Sequence, residues 1–403
     1  MKRIFAIALV AVMLLGCFSG CSANKGEVSV LWQGAEAAAT NPNSLINAMD
    51  RAMYISNLSY KHYAAGGDQA TQTKQAETAL NAGCVALVVE LVDSAAAQKI
   101  VDLAKAKNVP VVFFGCEVDD AVVNSYEKCA LVAADEDRLS EGYSAMLYKF
   151  FGPVMEAQKK AKEKNKEKDG YDKDGDGKIT YLALTDIAIS VPSSDVYKDY
   201  GLDAKLYVDF AFVPVKGTLE DLQLKIVTKE KKGLFGTSTE EYAQLVTADG
   251  KIVEAIFAGD DKETLNTLVA LQKLGLNADK LTTHFIPVMT VGADADYKAY
   301  VMENIPTDAA ARAEYLESFK LLVDMTGIEK KQWTKWEAKE ENEIDNMVYN
   351  TLNQISAGKI SGSAVEDYDA IAIATAELVA SLLKGEPIEA NIVKLPYAVS
   401  ISG

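Results

Sequence analysis

The sequence has few of the residues on which nucleophilic catalysis and nucleic-acid binding depend. Its 403 residues include two histidines, no Gly-x-Ser-x-Gly motif occurs, and no cysteine lies beside a histidine. We therefore predict a protein that is not an enzyme. A hydrolase that uses carboxylates ranks third, after the two non-enzymatic functions given at the end of this section. Aspartate and glutamate (58) outnumber lysine and arginine (41), and the formal net charge is -17. The basic run at 159–168 also contains acids, as a solvated helix end would, so we predict no nucleic-acid partner.

Continuous apolar runs long enough to span a bilayer are also missing from the sequence. The run at 4–15, preceded by a basic pair at 2–3, is too short for a membrane span and predicts an export signal. The signal ends in LLGC (14–17) and FSGC (18–21), both of which resemble the lipobox of bacterial lipoproteins. We expect an exported protein that is periplasmic or held on the outer face of the cell membrane through an N-terminal lipid alone.

Either cysteine of the two lipobox-like motifs could carry the lipid. The small residues Ser19 and Gly20 favour Cys21, whereas Leu14 favours Cys17. An ordinary secretory signal with incidental cysteines is the alternative. We assign residues 1–25 to signal peptide and tether.

Three cysteines remain beyond the signal: Cys84, Cys116 and Cys129. An odd number excludes a complete disulfide framework, and the isolated spacing does not fit zinc. We expect Cys84 in the core, and leave open whether Cys116 and Cys129 pair.

Short apolar runs alternate with amphipathic segments from Val28 onward. The predicted strands are 28–32, 85–91, 109–114, 130–135, 178–186, 207–215, 251–259, 284–292, 360–367 and 391–401. The predicted helices are 43–56, 69–83, 94–108, 138–166, 194–206, 239–248, 261–274 and 368–384. Strands this uniformly apolar are covered on both faces, which predicts α/β architecture with parallel sheets. Segments 216–237 and 305–340 break the rhythm and are interpreted as surface insertions.

An Asp-rich loop, DKDGDGKIT (172–180), carries the first nine positions of an EF-hand calcium loop. Asp172, Asp174 and Asp176 alternate, and Gly177 provides the turn. The twelfth position, where a bidentate glutamate closes the shell, is Ala183. The loop therefore needs a carboxylate from elsewhere.

Several stretches together resemble the periplasmic galactose/glucose-binding proteins, which are type I substrate-binding proteins of ABC transporters. They are VALVVELVDSAAAQKIVDLAKAKNVPVVFFG (85–115), ALVAADEDRLSEG (130–142), DKDGDGKIT, VEAIFAGDD (253–261), IPVMTVGAD (286–294) and VKLPYAVS (393–400). The resemblance implies two doubly wound parallel-sheet lobes joined by a three-strand hinge. Lobe 1 would comprise 26–134 with 367–395, and lobe 2 would comprise 135–366 with 396–403.

The resemblance also implies a source for the missing calcium ligand. In the family the closing glutamate is the second residue of a distant strand, which here is Glu254. The implied site holds a structural Ca²⁺ through oxygens of Asp172, Asp174, Asp176, Lys178 (carbonyl), Thr180 and Glu254. Thr180 departs from the family, which has an amide side chain at that position.

Ligands of such proteins bind between the lobes, at the carboxyl ends of the strands. Strand-end positions nominate nine candidate residues: Trp32, Gln33, Glu90, Glu117, Asp186, Asp195, Asp260, Asp294 and Glu366. The family's sugar contacts are substituted: Gly115, Asp260 and Glu366 replace asparagines, and Gly292 replaces an aspartate. Trp32 is equally consistent with a core aromatic.

The resemblance implies a monomeric receptor that delivers a small polar solute, such as a monosaccharide, to the permease of an ABC importer. The alternative is a sensory receptor for a chemoreceptor or histidine kinase. Neighbouring genes for a permease and an ATPase would distinguish the two.

Overall fold

The computed structural model describes residues 26–34, 44–164, 170–187, 189, 198–202, 211–233, 236–277, 285–292, 307–311 and 360–402. Cys17, Cys21, Asp195 and Asp294 lie outside these residues, as do most of the predicted helix 194–206 and of the insertion 305–340. The chain divides into two compact units: unit 1 is Met1–Ala133 with Tyr368–Val393, and unit 2 is Ala134–Asp367 with Lys394–Gly403. The chain thus passes between the units three times.

Unit 1 is built on a six-stranded sheet in the order β13-β5-β4-β3-β1-β2. Its strands are β1 (Val28–Trp32), β2 (Tyr60–Ala64), β3 (Ala86–Val89), β4 (Val111–Phe114), β5 (Cys129–Ala134) and β13 (Ile392–Leu395). Its helices are α1 (Leu45–Ile55), α2 (Gln69–Asn81), α3 (Ala97–Ala106), α4 (Asp120–Val123) and α7 (Tyr368–Lys384). Strands β1, β3, β4 and β5 are buried along their whole length, as the apolar runs predicted.

Acidic side chains begin several helices of unit 1 at the carboxyl ends of its strands. Asp68 accepts hydrogen bonds from the backbone N–H groups of Ala70 and Thr71, at 3.2 and 3.0 Å, and so caps α2. Asp93 and Asp119 make the same kind of contact at the next two helical turns. These caps satisfy N–H groups that a helix start leaves without partners.

Unit 2 contains a second six-stranded sheet, in the order β14-β12-β11-β10-β6-β7. Its strands are β6 (Lys178–Ala183), β7 (Ala211–Val215), β10 (Ala255–Phe257), β11 (Val288–Val291), β12 (Gly362–Val365) and β14 (Ala398–Ile401). The long helices among the described residues of unit 2 are α5 (Leu139–Glu163) and α6 (Asp261–Lys273). The pairs within the sheet are parallel except for the edge strand β14, which pairs antiparallel with β12. The predicted α/β class with parallel sheets is confirmed.

A long hairpin replaces part of the expected pattern in unit 2. Strands β8 (Gln223–Gly233) and β9 (Gly236–Val246) pair antiparallel along eleven residues each. The predicted helix at 239–248 is therefore wrong. Thr237, Thr239 and Tyr242 favour extended backbone, and pairing with β8 outweighs the helical spacing of the apolar residues.

Strand β2 is an edge strand that the sequence did not reveal. It has no fully buried residue, and Lys61 and His62 interrupt its apolar character. Strand prediction from apolar runs detects strands buried on both faces, so a half-exposed edge strand of this kind escapes it.

None of the three cysteines beyond the signal forms a disulfide with another described cysteine. Cys84 and Cys129 are buried, as a core position requires. Cys129 pairs in register with Val111 at the start of β4, whereas Cys116 follows the end of that strand. Five residues of strand separate the two levels by roughly 16 Å, which is beyond disulfide reach. The possible Cys116–Cys129 pairing is therefore wrong.

Among the described residues, no helix is both long enough and apolar enough to cross a bilayer. The longest, α5, carries polar and charged side chains at intervals along its length.

Candidate functional site

Two candidate residues meet at the carboxyl edge of the unit 1 sheet, where its parallel strands end. Because β1 and β3 are neighbours, Gln33 and Glu90 follow the ends of adjacent strands. The Gln33 side-chain amide donates to Glu90 Oε1 at 2.8 Å, and the Gln33 backbone N–H donates to Oε2 at 3.3 Å. Glu90 is 7% exposed, and this burial raises the pKa of its carboxyl although both bonds from Gln33 lower it.

The side chain of Gln72 hydrogen-bonds to the backbone around Glu90. This residue was not among those predicted from the sequence. The Gln72 side-chain amide donates to the Glu90 carbonyl at 2.7 Å, and Gln72 Oε1 accepts from the Val92 N–H at 3.2 Å. The side chain is completely buried on α2. Gln72 shares a helix face with Ala76, Ala79 and Leu80, so a polar residue within an apolar stripe was the available signal.

The other two candidates in unit 1 differ in exposure. Trp32 is 6% exposed, and its ring lies over Gly34, where an added Cβ would come within 2.3 Å of Cζ3. Glu117 is exposed after β4. Trp32 therefore behaves chiefly as a core residue of unit 1, and Gln33 and Glu117 present the accessible polar groups.

At the carboxyl edge of unit 2, Asp260 acts as the N-cap of α6. Its Oδ1 accepts from the Glu263 N–H at 2.7 Å, and its carbonyl accepts from the hydroxyls of Thr264 and Thr290. The Glu263 carboxylate in turn accepts from the Gly259 N–H at 2.7 Å. A large part of the hydrogen-bonding capacity of Asp260 is thus used within the protein.

A neighbouring acid, Asp261, was not nominated and is more deeply placed than Asp260. Asp261 is buried, whereas Asp260 is exposed. Gly292, after β11, has φ of +88°, and an added Cβ would lie 3.2 Å from Asp261 Oδ2. The glycine that replaces the family's aspartate therefore makes room for the Asp261 carboxylate. Of the remaining candidates, Asp186 is exposed after β6 and Glu366 is half-buried after β12.

The Asp-rich loop is folded by hydrogen bonds from its own backbone to its carboxylates. Asp172 accepts from the N–H groups of Gly175 and Gly177, at 2.7 and 2.9 Å. Asp174 accepts from the Asp176 N–H at 3.0 Å. Gly175 and Gly177 have φ of +76° and +86°, which glycine adopts without strain.

Glu254 approaches this loop from the segment that leads into β10. Glu254 Oε1 accepts from the Lys173 N–H, and Oε2 accepts from the Thr180 N–H at 2.9 Å. The Glu254 N–H donates to the Thr180 carbonyl at 2.7 Å. One oxygen from each of Asp172, Asp174 and Glu254 lies within 4.8 Å of the others.

The electrostatics of this three-carboxylate cluster fit a cation. Glu254 is 2% exposed, and burial is the main cause of a pKa of about 7 for its carboxyl. The backbone bonds oppose that shift, and the neighbouring Asp174 and Asp172 add to it. Adjacent carboxylates of which one is buried are unfavourable unless a positive charge joins them. An all-oxygen donor set is the kind that Ca²⁺ prefers.

The other predicted ligands lie around this cluster. Asp176 is exposed and is not one of the three grouped carboxylates, although its N–H bonds to Asp174. Thr180 is half-buried on β6, and Lys178 begins that strand with an exposed side chain.

Helix α5 braces the loop through two side chains one turn apart. Gln158 donates to the Asp172 carbonyl at 3.2 Å, and Lys162 donates to the Gly175 carbonyl at 2.9 Å. Lys162 belongs to the mixed-charge run that was interpreted as a solvated helix end, so that interpretation is incomplete. Lys162 thus links the end of α5 to the Asp-rich loop.

Known proteins are similar to this chain over one domain and over a shorter stretch of sequence. Residues 25–179 match the periplasmic binding protein domain. A stretch of 67 residues is 40% identical to the D-galactose/methyl-galactoside binding periplasmic protein MglB of Haemophilus influenzae, covering 17% of this chain and 20% of that protein. The match thus spans about a fifth of the relative's length.

Among solved structures, the chain aligns with two ABC transporter solute-binding proteins. The one from Actinobacillus succinogenes 130z, with bound D-allose, has 10% identity and a TM-score of 0.49, covering 94% of this chain and 98% of that chain. The one from Bacillus halodurans C-125, with bound myo-inositol, has 14% identity and a TM-score of 0.41, covering 95% and 96%.

The matched segment, residues 25–179, covers much of unit 1 and the start of unit 2, including the Asp-rich loop up to Ile179. The predicted resemblance to periplasmic binding proteins is thus confirmed for this segment.

Burial of Glu90 leads to a prediction about pH and stability. A carboxyl whose pKa is raised on folding stabilises the native state below its unfolded value of 4.5, and this contribution is lost as pH rises through the folded pKa. Each unit of difference corresponds to about 1.4 kcal/mol. The loss of stability between pH 4 and pH 8 should therefore be smaller in Glu90→Gln than in the wild type, because the glutamine does not titrate.

The matched control for this measurement is Glu117→Gln, which changes an exposed acid on the same edge of unit 1. Its denaturation midpoint should follow that of the wild type across the pH range. Equal pH dependence in Glu90→Gln and the wild type would contradict the prediction.

Proposed function

We propose that this protein is a lipid-anchored extracytoplasmic receptor that binds a small polar solute for an ABC importer. The match of residues 25–179 to the periplasmic binding protein domain supports extracytoplasmic binding. The local identity with a D-galactose-binding relative supports a monosaccharide of the galactose or glucose type. The proposed receptor is a monomer.

The observation that carries the proposal is the polar carboxyl edge in each unit. In unit 1, Gln33 and Glu90 form a hydrogen-bonded amide–carboxyl pair between two strand ends. In unit 2, Asp186, Asp260 and Glu366 follow three strands of one sheet. Amide and carboxyl groups at strand ends are suited to hydroxyl groups of a polar solute, because they accept and donate at fixed positions.

The three passages of the chain between the units are proposed to act as a hinge. They lie at 133–134, 367–368 and 393–394, one to three residues from the predicted crossings at 134–135, 366–367 and 396–397. In the proposed mechanism, a change of backbone angles at these points closes the units over the solute and excludes water.

A thermal-shift screen of the mature protein tests the proposal. With calcium held constant, sugars, polyols, nucleosides and amino acids are added one at a time. A solute at one hundred times its dissociation constant should stabilise the protein by about 2.7 kcal/mol. Absence of any shift across sugars and polyols would contradict a carbohydrate receptor, and a shift with another class would redefine the solute.

A sensory role is the second candidate, because transport and sensing receptors share the same solute-bound form. The two are separated by the partner: co-purification of the solute-bound protein with a permease supports transport, and co-purification with a chemoreceptor or histidine kinase supports sensing.

The N-terminal anchor gives a prediction of its own. In cells given a labelled fatty acid, the protein should become labelled, and the change of one cysteine, Cys21→Ala or Cys17→Ala, should abolish the label. The reason is that the lipid is attached to a single side chain at the end of the signal. Cys84→Ala is the matched control and should keep the label. Label that persists when Cys17 and Cys21 are both replaced would contradict the anchor.

A further inference from the structure

Two adjacent apolar side chains at the end of α1 face solvent. Tyr54 is 80% exposed and Ile55 is 78% exposed, the highest values among the large apolar side chains of the described residues. The other face of the helix is buried through Leu45, Ile46 and Met49. Tyr54 and Ile55 thus do not contribute to the packing of α1 against unit 1. The fold therefore does not explain why these two positions are apolar.

Tyr54 and Ile55 lie near the start of β1, the first described strand of unit 1. The backbone turns directly after α1, where the Leu58 N–H donates to the Met53 carbonyl at 3.0 Å. The Val28 N–H then donates to the Ser59 carbonyl at 2.8 Å, and Val28 pairs in register with Tyr60. The end of α1 is therefore next to the first residue of β1. We call this side of unit 1, where its strands start and its helices end, the amino edge.

The proposed lipid lies close to this edge along the chain. Cys21 precedes Val28 by seven residues, which span at most ~25 Å when fully extended. Cys17 is eleven residues away, with a reach of roughly 40 Å. A lipid on either cysteine keeps the amino edge near the bilayer surface.

The charge of the amino edge is opposite to that of the whole chain. Within two residues of its strand starts and helix ends are six lysines and three glutamates: Lys61, Lys105, Lys107, Lys128, Lys384, Lys394, Glu27, Glu127 and Glu386. The whole sequence has a formal net charge of -17. The carboxyl edge of the same sheet carries Asp68, Glu90, Asp93 and Asp119 instead. Of the two edges, the amino edge is the one that an anionic lipid surface attracts.

We propose that the amino edge of unit 1 rests on the bilayer, with Tyr54 and Ile55 in the headgroup region and the lysines facing anionic lipid phosphates. This inference rests on the proposed lipid anchor. A tyrosine beside an aliphatic residue suits the interface, because the ring is apolar and its hydroxyl stays hydrated. The anchor supplies the attachment, and the edge orients unit 1 so that its carboxyl edge points away from the lipid.

The test uses the full lipidated chain in vesicles that contain anionic lipid and brominated acyl chains, which quench tryptophan on contact. Tyr54→Trp places a tryptophan in the proposed contact. Ile373→Trp places one at a 50% exposed position within α7, away from the amino edge. Emission is compared with that of the wild type in the same vesicles, which gives the contribution of Trp32, Trp333 and Trp336.

We expect the added emission of Tyr54→Trp to be quenched and that of Ile373→Trp to be retained. Adding Ile55→Glu to Tyr54→Trp should reduce the quenching, because a carboxylate is repelled by the anionic surface. Equal emission loss in Tyr54→Trp and Ile373→Trp, in a protein that carries the lipid label, would overturn the edge contact and leave the anchor intact. Absence of the lipid label would overturn both.

Discussion

Calcium should raise the melting temperature of the calcium-free protein, and chelation should reverse the rise. Asp172, Asp174 and Glu254 bring three carboxylates together between a surface loop and a buried strand segment, and a cation bound there would neutralise their repulsion. At one hundred times the dissociation constant the gain is about 2.7 kcal/mol. For a unit of this size, each kcal/mol added to the free energy of unfolding raises the melting temperature by roughly 2–4 °C.

Asp174→Asn is the variant that separates metal binding from loop folding. Asp174 Oδ1 accepts the Asp176 N–H at 3.0 Å, and an asparagine oxygen can keep that bond. The substitution removes one of the three negative charges. In chelator, Asp174→Asn should melt no lower than the wild type, whereas in calcium it should lose most of the rise.

Glu254→Gln extends the same test to the buried member of the cluster. Both Glu254 oxygens accept backbone N–H groups, from Lys173 and Thr180, so the glutamine nitrogen must face one of these donors. This costs about 1–3 kcal/mol, and we expect a lower midpoint in chelator as well as no response to calcium. Asp249→Asn, an exposed acid elsewhere in unit 2, is the control and should respond normally. A normal calcium response in both cluster variants would show that other groups bind the ion.

The sheets could be predicted from the sequence because their central strands are apolar on both faces. The runs at 28–32 and 111–114 are completely buried, and burial on both faces leaves a continuous apolar signature. The half-exposed edge strand β2 lacks that signature, since Lys61 and His62 lie within it. The β8–β9 hairpin was missed for another reason: its strands stabilise each other by pairing, which helical periodicity does not report.

The carboxylate cluster could be predicted only through the family resemblance. Glu254 lies 74 residues from Thr180 in sequence, and no spacing rule joins such positions. The parallel pairing of β6 with β10, with Tyr181 opposite Ala255, brings them together. The strand-end candidates were found from a general property of parallel sheets. The roles of Gln72 and Asp261 could not be predicted from the sequence, because both depend on the packing of helices against strand ends.

The structure also shows which substitutions would damage the fold and therefore cannot test contacts with the solute. Trp32 is buried against Gly34, so Trp32→Ala would open a core cavity and cost about 3–5 kcal/mol of stability. Asp260→Ala would remove the N-cap of α6, at a cost of about 0.5–2 kcal/mol. Loss of binding in either variant would therefore not separate a contact with the solute from damage to the fold.

Gln33→Ala and Asp260→Asn should weaken binding of the solute found in the screen. The melting temperature of each free variant is measured as well, because Gln33→Ala also removes the side-chain donor of Glu90 Oε1. Gln33 is exposed at the carboxyl edge of unit 1, and asparagine is itself a good N-cap residue. A lost hydrogen bond to a neutral solute costs about 0.5–1.5 kcal/mol, and one to a charged group about 1.5–3 kcal/mol. The dissociation constant should therefore rise by roughly 2- to 100-fold in titration calorimetry.

The matched control for binding is Asp93→Asn, which caps the start of the helical segment after β3 but was not nominated as a solute contact. It should bind the solute as the wild type does. Small-angle scattering supplies an independent measure, because closure about the three chain passages should reduce the radius of gyration on solute binding. Tight binding that survives both Gln33→Ala and Asp260→Asn, with no compaction, would mean that the solute is held elsewhere than at the carboxyl edges. Weakened binding with compaction would assign the solute to them, because only a ligand that contacts both units favours the closed form.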